Sequence, residues 1–388
     1  VAVALLVLIT GACQRLALLP VSTEANGPGA PAEPESTFSR AELLDSSTCG
    51  GCHSEAYAEW RQSPHAAAAD DAVFLAMNRM AQRETHGAIG SFCVQCHAPL
   101  ALREGATADG LNLATVPQAL KGVTCYFCHD TDSVAGNHNN PLHLANDGAM
   151  RGPIRDAVKT AAHQSVYSPL HDRNTLGSSA LCGSCHDIVT PPGAKLESTY
   201  QEWQASVYAH AITGQSCGGC HMSQSVAPTA VSDEPQAPLR YRHAHAFPGL
   251  DLPLPHVPSD GPAAVVQDRA VARRHLKALL DKTLQTALCV KQVGQRASLR
   301  VVLDNVGAGH AFTSGAVQDR RLWLEIKAYA KGKLIYQSGV VPDNSPIMSH
   351  QDEDLWLIRS CMFDKAGAPT QHFWQAATVD SNPLPTIS

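Results

Sequence analysis

Five stretches of this 388-residue chain share one spacing, Cys-x-x-Cys-His. They are Cys49/Cys52/His53, Cys93/Cys96/His97, Cys125/Cys128/His129, Cys182/Cys185/His186 and Cys217/Cys220/His221, and they use ten of the thirteen cysteines. Two thiols three residues apart can add across the two vinyl groups of one porphyrin edge. The next residue then lies under the ring, where its imidazole can bind iron. A thioredoxin-like dithiol needs no histidine there, and zinc sites pair C-x-x-C with a second C-x-x-C or with H-x-x-x-H. The spacing therefore reads as five covalently attached haems of the c type.

Each such iron has a second axial position. A second imidazole makes the iron low-spin and suited to electron transfer, whereas an empty position lets it bind and transform a small molecule. Nineteen histidines are present, so supply permits a second imidazole at every site. His65 is the first candidate, because it ends the Tyr57–Trp60–Ser63 segment near a motif and Pro64 fixes its entry into the following helix. His163, in AAHQSVYSPLH, is the next. His138 and His143, in GNHNNPLHL, follow the third motif closely, and one of them is expected to ligate. His245, or its neighbour His243, lies in RHAHAF, and His310 in GAGHAFTSG stands where it could cap a haem at a domain junction. His86, His171, His210, His256, His275, His350 and His372 read as structural or solvent-facing. Met77 and Met80 could offer a thioether, but helix packing accounts for them equally well.

The elements that must position these groups fall into five stretches. Residues 1–21 hold an apolar run and then Gly-Ala-Cys, which reads as an export signal with Cys13 as a lipid-bearing residue, or as a plain signal or anchor helix. With no basic start and no clear stop, the chain is expected to begin inside its signal and to come from a longer parent. Residues 22–40 read as a flexible tether rich in Pro, Gly, Ser and Glu. Residues 41–224 carry all five motifs, and only about 35 residues per motif are available there, too few for an ordinary apolar core. The haems are expected to serve as that core, with short helices and irregular chain wrapped on them, and the region to be unfolded without them. Residues 225–263 hold eight prolines and read as an extended connector laid on a surface. Residues 264–284 suit an amphipathic helix. The pattern then turns to strands, ASLRVVLDNV and LWLEIKAYAKGKLIYQSGVV, the latter folded at Lys331-Gly332-Lys333. The expected fold is a mainly helical and irregular multihaem domain plus a C-terminal β-sandwich-like domain.

An internal repeat is visible: AYAEWRQSPHAA at residues 56–67 parallels TYQEWQASVYAH at residues 199–210. Its Tyr and Trp suit packing against a large flat ring. Cys289 and Cys361 could pair in an oxidising compartment or remain free thiols.

The formal charge is −6. Ten propionates and five ferric centres would take it to roughly −11, which argues against nucleic-acid binding and for redox partners with a basic face. Covalent haem is attached outside the bacterial cytoplasm, so export to the periplasm, outer membrane or cell surface is expected.

The segments CGGCHSEAYAEWRQSPHA, SPLHDRNTLGSSALCGSCHDIVTPP, TYQEWQAS…GQSCGGCHM and NVGAGHAFTSG…DRRLWLEI resemble the exported multihaem cytochromes related to cytochrome c-554. The resemblance spans about residues 41–380. It implies closely stacked haem pairs in a mostly helical shell, His65 as a distal ligand, and the same role for His163. The best-known relatives carry four or eight haems, whereas this chain has five motifs and a β domain. No C-x-x-C-K occurs, so the lysine-ligated haem of one nitrite reductase class is not expected, and no crosslinking tyrosine is identified. The leading reading is an electron carrier between periplasmic or membrane redox partners. The alternatives are an oxidoreductase for a small nitrogen or sulfur compound at one five-coordinate haem, with His138, His143 or His171 supplying protons, and a docking module of a larger electron conduit.

Overall fold

The computed structural model describes residues 37–157, 160–227, 240–250, 269–342 and 345–388. The signal or anchor segment with Cys13, the tether up to residue 36 and most of the Pro-rich connector, His256 included, lie outside the described residues.

Each motif begins on or beside a short helix. The helices are Ser46–Gly50, Val94–His97, Cys125–His129, Ser179–His186 and Cys217–His221. Positions i and i+3 share a helix face, so two thiols at that spacing project together where the turn is complete. The first helix stops at Gly50 and leaves Cys52 in the turn that follows. The Cys52 and His53 amides still donate to the Cys49 carbonyl, at 3.2 and 2.8 Å, and carry the turn through the histidine. Side chains cap several of these turns: Asp45 accepts from the Ser47 amide, Thr124 from Phe127 and Ser216 from Gly219. Helices this short have no stability of their own and rely on what they pack against.

The apolar clusters are correspondingly small. One surrounds the second motif, with Val94, Ala98 and Ala101 against Phe74, Leu113 and Val116. Another buries Tyr126 and Phe127 of the third motif against Leu43, Leu100, Leu142 and Leu144. Two further clusters join the motif region to the C-terminal part, through Leu196 with Met362 and Ala376, and through Ala81 and Ile89 with Trp374. Met77 and Met80, on the Ala72–Glu84 helix, pack in the Trp374 cluster.

The repeated segment forms two short helices, Ser54–Arg61 and Thr199–Gln204. The Tyr57 ring lies on Gly50 of the first motif and the Tyr200 ring on Gly183 of the fourth. Each indole then reaches a later motif: Trp60 Nε1 donates to the Val123 carbonyl at 2.8 Å, and Trp203 Nε1 to the Gln215 carbonyl at 2.9 Å. Both carbonyls sit two residues before a motif's first cysteine. In both copies the segment therefore ties the motif before it to a motif after it. Buried Asp187, directly after the fourth motif, fixes the second helix by accepting from the Tyr200 and Gln201 amides at 2.7 and 3.2 Å.

Strands also occur inside the motif region. Antiparallel ladders join Thr131–Val134 to Leu142–Leu144 and Asp187–Val189 to Lys195–Ser198, and Ala149–Gly152 pairs in parallel with Gln164–Tyr167, while Gln224–Ala227, where the motif region ends, pairs antiparallel with Arg240–His243 of the Pro-rich connector. Beyond them the Arg269–Thr283 helix leads into a hairpin of two ten-residue strands, Leu284–Val293 and Arg296–Asn305. Ile326–Ala330 and Lys333–Ser338 pair across a turn at Lys331 and Gly332, whose φ values of 48° and 76° suit a tight hairpin. Ser360–Phe363 is flanked by Pro369–Thr370 and Thr378–Ser381 in a three-stranded sheet. Cys289 is exposed in the long hairpin and Cys361 half-buried in the three-stranded sheet, and both are free thiols.

The contact between Gly183 and Tyr200 has a measurable consequence. A Cβ at Gly183 would lie 2.2 Å from the Tyr200 ring, whereas one at Gly152 meets nothing within 4 Å. Gly183→Ala is expected to destabilise the protein by about 1–3 kcal/mol through overpacking. Gly152→Ala should leave the thermal midpoint nearly unchanged; equal midpoints for the two variants would contradict the packing described.

Candidate haem-attachment sites

The motif histidines are oriented by their main-chain partners. His97 Nδ1 donates to the Ala68 carbonyl at 2.9 Å, His129 Nδ1 to Arg151 at 2.6 Å and His221 Nδ1 to Pro248 at 3.2 Å. A carbonyl can only accept, so the proton sits on Nδ1 and Nε2 keeps its lone pair for a metal. Three histidines outside the motifs show the same arrangement. His163 Nδ1 bonds the Gln164 carbonyl at 3.1 Å, His245 Nδ1 that of His243 at 2.8 Å, and His310 Nδ1 that of Ala311 at 2.9 Å.

These rings meet in twos. His53 and His163 have centroids 6.3 Å apart, His186 and His65 6.2 Å, His129 and His245 6.3 Å, and His221 and His310 6.4 Å. Two metal–nitrogen bonds of about 2 Å, plus about 1.1 Å from each nitrogen to its ring centre, put imidazoles on opposite sides of one metal about 6.2 Å apart. The residues therefore fit an iron between each pair. Among the described residues no group of three or more His, Cys, Asp or Glu side chains is arranged to hold a metal ion.

The pairing is not the one that sequence proximity suggests. His65, which follows the first motif, stands opposite His186 of the fourth. The structure opposes neither His138 nor His143 to a motif histidine; the first is exposed and bonded to Asn137, the second exposed and bonded to Asp132. His243 lies in the Arg240–His243 strand, and its carbonyl orients His245. His171 comes closer than expected to a site, with its ring 5.5 Å from His129. Its Nε2, however, donates to the Cys128 carbonyl at 2.7 Å, and its Nδ1 is buried without a partner.

The ten motif thiols, alike in sequence, differ in their surroundings. Eight are half-buried, whereas Cys52 and Cys220 are exposed. The helix carrying Cys49 ends before Cys52, which is exposed in the turn that follows. Cys220 is held within its helix, with its thiol 3.9 Å from Gln215 Oε1.

The second motif differs from the other four. Among the described residues no imidazole stands opposite His97, whose ring lies parallel to Phe74 with centroids 4.0 Å apart. Phe74 carried no sequence signal beyond its place on an amphipathic helix. Phe247, beside both His65 and His245, was legible only as part of the RHAHAF segment. Arg173 was likewise unassigned, yet its guanidinium donates to the Gly219 carbonyl at 2.8 Å and to that of Met222, clasping the fifth motif.

Thiol contacts show which motifs adjoin. The Cys49 and Cys125 side chains lie close enough to interact, as do those of Cys96 and Cys185, and of Cys182 and Cys217; in each pair the interaction raises the pKa of the first thiol and lowers that of the second. Cys128 lies within electrostatic reach of Cys185 and Cys182. The first motif thus adjoins the third, the third the fourth, and the fourth both the second and the fifth. Burial raises Cys93 to about 11 and Cys128 to about 12.

A family model described as cytochrome c554 and c-prime matches residues 48–130. The first three motifs lie within that match. No curated protein matches the chain, and no solved structure does. The match supports a c-type cytochrome, covalently bound haem c and a haem-based electron-transfer role.

These imidazoles are held neutral. Burial, with His186 and His221 nearby, takes His65 down to about 3, and burial takes His186, His245 and His171 to about 4. An unfolded chain accepts protons on these rings below about pH 6.5, while the folded one refuses them until lower pH. Their contribution to stability is therefore present above about pH 6.5 and is lost as pH falls through and below it. Competition of protons with a metal for Nε2 acts in the same direction. Thermal midpoints measured between about pH 8 and about pH 4.5 are expected to be flat on the neutral side and to fall on the acid side. A midpoint that held steady on the acid side would contradict the burial of these rings.

Proposed function

We propose that this chain is a pentahaem c-type cytochrome that carries electrons between redox partners of the periplasm or membrane. The observation that carries the reading is the set of four opposed imidazole pairs, each with a motif histidine on one side. Haem c supplies reversible one-electron chemistry at an iron whose potential follows its axial ligands, burial and nearby charge. The chain supplies the rest. Cys49/Cys52, Cys93/Cys96, Cys125/Cys128, Cys182/Cys185 and Cys217/Cys220 are the attachment thiols, the exposed Cys52 included, and His53, His97, His129, His186 and His221 are the proximal ligands. His163, His245, His65 and His310 are the second ligands of the first, third, fourth and fifth sites. The thiol contacts favour an order of sites first–third–fourth–fifth, with the second joined at the fourth. An acidic chain of charge −6 suits partners that offer a basic face. Export, with attachment through a lipid on Cys13 or an N-terminal helix, belongs to the same reading. No described helix is long and apolar enough to cross a membrane.

A second reading concerns the second site alone. His97 with Phe74 beside it and no imidazole opposite favours a position where a small nitrogen or sulfur compound could bind and react.

Mass and alkaline-pyridine absorbance of the purified protein are expected to give five haems per chain; bare polypeptide mass would end the proposal. Electron spin resonance of the oxidised protein is expected to show four low-spin centres and one high-spin centre. Carbon monoxide should change the spectrum of one reduced haem in five. A wholly low-spin protein that ignores carbon monoxide would remove the second reading and leave the first.

A further inference from the structure

Glu59 and Glu202 hold matched places in the two Tyr-x-Glu-Trp segments. Each carboxylate points at a His-Ala-Phe tripeptide. Glu59 Oε2 accepts the His245 amide at 2.8 Å, and Glu202 Oε2 accepts the Ala311 amide, next to His310, at 3.2 Å. The surroundings match as well. Val123 N–H donates to the His65 carbonyl at 2.9 Å, and Gln215 N–H donates to the Tyr208 carbonyl at 3.0 Å, with His65 and Tyr208 equivalent in the two segments. Ser46 Oγ accepts the Cys125 amide at 3.4 Å, and Ser179 Oγ accepts the Cys217 amide at 3.1 Å, each serine lying three residues before a motif's first cysteine. The two indole bonds and the Thr124 and Ser216 caps complete the correspondence.

We infer that the attachment region contains two copies of one dihaem unit, the first and third motifs with residues 245–247 and the fourth and fifth with residues 310–312, and that Glu59 and Glu202 are the positioning residues that hold His245 and His310 on their irons. The inference rests on the reading of those two histidines as axial ligands. A carboxylate that merely filled space would have no reason to find the same tripeptide in both copies, since the sequences between the elements differ in length and composition. A charged acceptor gives a shorter and stronger bond to a main-chain N–H than a neutral one, so it suits the task of fixing a loop. The copies differ in what balances the carboxylate. Glu59 takes a fork of two 2.8 Å bonds from Arg242, while Glu202 takes the Ser314 hydroxyl at 2.6 Å. Their register differs by one residue too, the amide being that of the histidine in the first copy and of its successor in the second.

The test uses the full-length, haem-loaded protein. Glu59→Ala and Glu202→Ala are each expected to turn one low-spin centre into a high-spin one, a different centre in each variant. The double variant is expected to lose both. Added imidazole should restore the low-spin signals, and Glu202→Gln, whose amide oxygen still accepts the N–H, should retain them. If Glu202→Ala does not accumulate, Ser314→Ala carries the test, because it frees the carboxylate from its second donor and should shift the signal of that centre alone. Low-spin signals unchanged in Glu202→Ala, or unshifted in Ser314→Ala, would overturn the inference. A parent protein without those low-spin centres would instead overturn the functional reading beneath it.

Discussion

An imidazole whose Nδ1–H is committed to a main-chain carbonyl has one nitrogen left to offer, and the chain decides where it points. Six histidines around the attachment motifs are held in this way, three inside motifs and three outside. Much else depends on that constraint. Opposed rings come from segments far apart in sequence, so their spacing of 6.2–6.4 Å requires each loop to be fixed independently. The small ladders and the bonds from Trp60, Trp203 and Asp187 do that fixing where apolar burial is thin.

Burial then determines the chemistry available to the same rings. The motif region offers little polar solvent to His65, His186 and His245, which keeps them neutral and able to ligate across the ordinary pH range. Carboxylates enter only where something answers them. Arg242 faces Glu59, and Glu202, whose pKa burial raises, finds a hydroxyl and an amide.

Local chemistry was legible in the sequence, and long-range pairing was not. The Cys-x-x-Cys-His spacing specifies its own turn, and Lys331-Gly332 specifies its hairpin, because each depends on a few adjacent residues. The spacing does not specify how deeply each cysteine is covered, so Cys52 and Cys220 read like the other eight and yet lie exposed. His65 and His163 were selected as candidates from their segments, yet nothing local tells that His65 faces the fourth motif rather than the first. His138 and His143 stand near the third motif in sequence, but the ladder after that motif turns His143 outward to Asp132. The strands among the motifs are three or four residues long, too short for alternation to stand out from loop. The Tyr-Trp repeat was visible as text, whereas its glutamates acquired meaning only beside the His-Ala-Phe tripeptides.

The fourth motif lies beside the fifth and the second through Cys182 and Cys185, and within electrostatic reach of Cys128 of the third. In the proposed order the third site alone joins the first to the rest, and the fourth is the vertex where three branches meet. In the proposed order, a change around Cys93 or Cys217 alters one end while the remaining sites stay in mutual contact. The neighbourhood of Cys182, Cys185 and His186 has no such latitude, since a lesion there would strand the second and fifth sites from the first and third.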